Sequence, residues 1–68
     1  MSESLGEAYP KEQARMRTVL GHYKEIGPEG QFGATMIEDV LRRADEAAVA
    51  GDLAQMIRRF QEMKGVSE

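Results

Sequence analysis

IGPEGQFGATMIEDV, residues 26–40, decides how this chain is read. Three glycines and a proline fall within seven residues, and an apolar pattern of helical period follows at once. Gly27 can take a positive φ at a helix end, and Pro28 cannot continue a helix, so one helix stops here. Met36, Ile37, Val40 and Leu41 then recur at spacings of three and four, which marks a second helix starting between Gln31 and Thr35. The run is therefore expected to be a corner between two helices. Gly30 is expected to supply a turn conformation closed to other residues. Gly33, lacking a side chain, is expected to let Phe32 turn inward as a core plug.

Three other uses of the glycines require partners that the chain lacks. A phosphate loop needs Gly-Lys-Ser/Thr after a strand, and this run ends Gly33-Ala34-Thr35. The GXXG clamp of a KH domain needs a supporting sheet, and Glu29 puts a negative charge where phosphates would lie. A helix-hairpin-helix grip on DNA is opposed by the same glutamate and by a net charge of −3.

Upstream, Met16, Val19, Leu20, Tyr23 and Ile26 form one apolar face. Pro10 suits a first helical turn, and Glu12 would then lie near the positive end of the helix dipole. Residues 1–8 are small, polar and acidic, and are expected to form a loose tail. Downstream, Gly51 ends the second helix and Asp52 opens a third, with Asp52 and Gln55 at capping-box spacing. Leu53, Met56, Ile57, Phe60 and Met63 make the third stripe, and Lys64-Gly65 closes it. No window alternates with period two. The expected fold is all-α: one three-helix domain over residues 9–65, with helices near 10–26, 32–50 and 52–64 and a loose end at 66–68.

At 68 residues such a domain has a marginal core, and with no cysteine it has no disulfide to support it. Helix packing or self-association must supply the stability. A single histidine, His22, gives no metal-ligand set, and no nucleophile–base pair stands out, so no catalytic residue, metal or cofactor is expected. Neither a signal peptide nor a membrane span is visible, and a cytoplasmic setting follows.

Two features remain for function. The arginine pairs Arg42-Arg43 and Arg58-Arg59 lie nine residues before and eight after Gly51, so a hairpin pivoting there could gather them into one basic patch. Asp39, Asp45, Glu46 and Glu62 lie within helical reach and would neutralise much of it. The methionines on the stripes are expected first to fill an irregular core, and they also suit an adaptable binding face, since the apolar supply is generous for so small a bundle. The expected partner-binding set is Phe32, Met36, Met56, Phe60 and Met63, with Arg42, Arg43, Arg58 and Arg59 at its rim. The first expectation is a non-enzymatic protein–protein interaction module, with an unidentified protein partner or a homodimer. The alternative is a nucleic-acid-associated protein using the arginine patch.

YKEIGPEGQFGATMIEDVLRRADEA, continuing to GDLAQMIRRFQEMK, resembles short α-helical proteins encoded by bacterial temperate phages and prophages. IGPEGQFG, MIEDVL with RADEA, and FQEMK carry that resemblance over about residues 9–64. It implies a bacterial cytoplasmic setting and a small accessory role, and it brings no activity, cofactor or catalytic residue.

Overall fold

The computed structural model describes residues 3–66 and has three α-helices with no strand among them. Helix α1 spans Leu5–Ile26, a short 3₁₀ turn covers Pro28–Gly30, α2 spans Gln31–Ala50 and α3 spans Leu53–Lys64. The three-helix, all-α reading of the sequence is correct.

The start of α1 differs from expectation. Ser4 is a full N-cap: its hydroxyl accepts from the Glu7 N–H at 3.3 Å, and the Glu7 carboxylate accepts from the Ser4 N–H at 3.3 Å. This reciprocal pair satisfies donors that a helix start leaves open, so the helix begins five residues before Pro10. Of the expected tail, residues 5–8 are helical, and residues 1–2 lie outside the described part. Pro10 therefore sits inside the helix rather than in its first turn, where its missing N–H removes one ladder bond at an exposed position. Glu12 lies beyond the first turn and pairs with Arg15 at 3.0 Å, so Glu7 takes the dipole position instead.

Both glycine stops work locally. Gly27 has φ 90°, and its N–H reaches the Lys24 carbonyl at 3.2 Å. Gly51 has φ 67°, with Gly51 N–H on Ala48 O and Asp52 N–H on Ala47 O, the double closure of a Schellman end. Asp52 then accepts from the Gln55 N–H at 3.2 Å and starts α3. Two linking residues force α2 and α3 into contact.

Between α1 and α2 the glycines act by size. Gly30 has φ −88°, which any residue can adopt, but a Cβ there would run into the Tyr23 carbonyl. A Cβ on Gly33 would lie 2.5 Å from Tyr23 Cε1. Gly33 thus makes room for the Tyr23 ring and not for Phe32, which is 78% exposed and no core plug. Of the expected range for the start of α2, the earlier limit is the observed one: Thr35 lies inside the helix and donates to the Gln31 carbonyl at 2.9 Å.

The core consists of Tyr9, Met16 and Val19 from α1, Ile37, Leu41 and Ala44 from α2, and Met63 from α3. Tyr9 is its hub. Its ring stacks on Phe60 with centroids 6.3 Å apart, and its hydroxyl donates to the Ala44 carbonyl at 2.7 Å. A buried phenol needs such an acceptor, and here it ties all three helices together. At the other end of the core, Arg15 donates to the Met63 carbonyl at 2.6 Å, which holds the end of α3 against α1. Val66 also packs on the core, so the expected loose end begins no earlier than residue 67, outside the described part.

Candidate functional site

Helix α3 stops opposite Arg15, while Lys24, nine residues or about two and a half turns farther along α1, pairs with Glu38 of α2 at 3.5 Å. About 13 Å of α1 separates those two levels. The α2 start therefore projects past the end of α3. Phe32 and Met36, one helical turn apart on the same face, are 78% and 54% exposed there.

The nine residues expected at a partner surface divide by burial. Phe32 and Met36 face solvent, as does Arg58. Met63 is fully buried, and Met56 and Phe60 are half-buried against the core. Those three hold the fold and are withdrawn from the docking surface. Apolar periodicity made them and Phe32 look alike, because a stripe position says only which side of a helix is apolar. Ile26, Leu53 and Ile57 show the same ambiguity in reverse: all lie on stripes, yet they are exposed.

The arginines come together only in part. Arg43 and Arg59 line one open groove of about 300 Å³ at the α2–α3 corner, together with Glu46, Asp52, Gln55, Ala47 and Ala50. Ala47 is buried beneath it, and Ala50 is exposed. Two arginines and two carboxylates leave the lining balanced. Arg42 instead lies on the exposed flank, bridging Asp39 and Glu46, and its guanidinium is held protonated more firmly by the hydrogen bond it donates to Asp39 first and by the charge of Glu46 second. Arg43 meets Asp39 through Nε at 3.2 Å, and Arg59 meets Glu62 at 3.0 Å. Asp45 is not one of their partners; it pairs with Arg17 at 3.2 Å and accepts from Gln13 at 2.8 Å, joining α1 to α2. Arg58 has no carboxylate within ion-pair distance among the described residues and is not part of the groove.

Arg59 is the most deeply set of these side chains. Its Nε is buried without a hydrogen-bond partner among the described residues, and its charge reaches Tyr9. Burial raises the Tyr9 phenol above its ordinary value, Asp45 raises it further, and Arg59 opposes both. That hydroxyl is committed to the Ala44 carbonyl inside the core, which makes it structural.

Among the described residues, no group of three His, Cys, Asp or Glu side chains could hold a metal ion, and no helix is long and apolar enough to cross a membrane. No family model, no curated protein and no solved structure matches the chain.

Proposed function

We propose that this chain is a non-enzymatic protein-docking module, and that its docking face is the projecting start of α2. The observation that carries the reading is the exposure of Phe32 and Met36 on one turn of a helix whose neighbour has ended. Burying a large aromatic that is four-fifths exposed releases much of its apolar area from water, and aromatics with methionine are enriched at the centres of protein interfaces. The ion-paired arginines at the α2–α3 corner suit a polar rim better than a phosphate-binding track, which would present cations without carboxylates beside them. The resemblance to phage and prophage proteins adds a setting, in which the module serves as a small accessory protein in the bacterial cytoplasm.

The test compares the wild type with Phe32→Asp and Met36→Asp as baits in nuclease-treated bacterial lysate. Both substitutions are at exposed positions and leave the core intact. A protein retained by the wild type and lost by both variants supports the reading. No protein retained from that lysate, together with binding of labelled DNA or RNA that falls steeply with salt and with Arg58→Ala, overturns it in favour of a nucleic-acid-associated role.

A further inference from the structure

The outer face of α2 carries a projection at one end and a recess at the other. Phe32 and Ala50 are eighteen residues apart, which is five full helical turns, so they point the same way about 27 Å apart. Phe32 is the most exposed aromatic side chain, and Ala50 lines the 300 Å³ groove closed on its far side by Gln55 and Arg59 of α3. A cavity of about 150 Å³ is enough to hold a benzene ring. The recess therefore has room for a phenylalanine ring, with Ala47 and Ala50 to pack beneath it and charged side chains as its walls.

We propose that a second copy of this chain occupies this face, with the two α2 helices antiparallel and each Phe32 seated in the other copy's groove. The inference rests on the docking role assigned above to the start of α2, and it names the partner. A two-fold axis beside the middle of α2 places Phe32 opposite Ala50 of the second copy. The same axis places Asp39 opposite the second copy's Arg43, and Arg43 opposite its Asp39. Charge complementarity thus favours this arrangement twice over. A parallel pair would set Asp39 beside Asp39 and leave both grooves empty. Arg43 uses Nε for its own Asp39, so its terminal amino groups remain for the second copy's carboxylate. Because residue i meets j and j meets i, the contact closes on itself and stops at two copies.

The strip is narrow. A face about 27 Å long and one helix wide buries less than the roughly 1,200 Å² of a standard stable interface. The dimer is accordingly a weak, transient one that forms at high protein concentration.

Sedimentation of the full chain from about 20 μM to about 1 mM, with cysteine cross-linking alongside it, tests the arrangement. The natural chain has no cysteine, so any disulfide reports an introduced pair. Under mild oxidation, Phe32→Cys mixed with Ala50→Cys is expected to give a mixed dimer, whereas Phe32→Cys alone gives none, its two sulfurs being one α2 length apart. Phe32→Ala is expected to weaken association at least tenfold while leaving the thermal melt unchanged. Asp39→Arg and Arg43→Asp should each weaken it, and the double exchange should restore it. A wild type that is monomeric at 1 mM overturns self-docking, as does cross-linking of Phe32→Cys to itself. The docking reading survives either result if a different protein is still captured by the wild type and lost by Phe32→Asp.

Discussion

Adding one methyl group to α1 or to α2 is expected to have opposite effects, and the sign depends on the Tyr23 ring. Gly21 lies inside α1 and Gly33 inside α2, neither with a positive φ. On helix propensity alone, Gly→Ala stabilises each by about 1 kcal/mol. A Cβ at Gly21 meets nothing within 4 Å, so that gain should appear in full. A Cβ at Gly33 falls 2.5 and 2.6 Å from two atoms of the Tyr23 ring, which packs against the core and has little room to retreat. Overpacking of this kind costs about 1–3 kcal/mol, leaving Gly33→Ala destabilised by about 1 kcal/mol after the propensity gain. The variants should therefore differ by about 2 kcal/mol. At about 4–8 °C per kcal/mol for a domain of this size, their melting temperatures should differ by about 8–16 °C. Thermal melts followed by far-ultraviolet circular dichroism read this directly, and in a Tyr23→Ala background Gly33→Ala should become stabilising. If Gly33→Ala raises the melting temperature of the natural chain as Gly21→Ala does, the ring does not lie against Gly33 and the account of the corner is wrong.

Tyr9→Phe should cost about 1 kcal/mol in denaturant unfolding, the net worth of its buried hydrogen bond to Ala44. Because burial holds the folded phenol above 10.0, the unfolded chain loses that proton first as pH rises. The contribution of Tyr9 is therefore full below about pH 10 and declines above it, and Tyr9→Phe should remove that alkaline loss from a titration of stability. At the other extreme, the hydrogen bonds from Ser4 hold the Glu7 carboxyl below 4.5, so its support of the α1 start is present above that pH and fades as pH falls through the lowered value. Ser4→Ala, which removes the larger side-chain bond and keeps the backbone one, should reduce this acid dependence and speed amide hydrogen exchange through the first turn of α1. Phe60→Ala should cost about 2 kcal/mol in chemical unfolding, since it removes a half-buried ring stacked on Tyr9, whereas Phe32→Ala should change stability by less than about 0.5 kcal/mol. Equal losses would contradict the division between core and docking face.

What the sequence determined by itself lies within a few residues of each helix boundary. Gly27-Pro28 and Gly51-Asp52 close and open helices through bonds to neighbours along the chain, and so they read directly as boundaries. Ser4 and Glu7 belong to the same class. Their spacing was visible, but it lay in a polar stretch with one large apolar residue, and Pro10 offered a competing start. The stripes on the three helices were equally legible as periodic patterns.

Only the tertiary structure decided which parts of those stripes are covered. Phe32 and Phe60 share apolar character and helical phase, yet one is solvent-facing and the other stacks on Tyr9, because α3 ends beside Arg15 and cannot reach the start of α2. Tyr9 itself gave no periodic signal strong enough to mark it as the hub; its role depends on Ala44, thirty-five residues away. Gly33 was expected to make space for Phe32 and makes it for the Tyr23 ring instead. Helix ends follow from local hydrogen bonding, whereas burial depends on the length and placement of another helix, which no short stretch of this chain encodes.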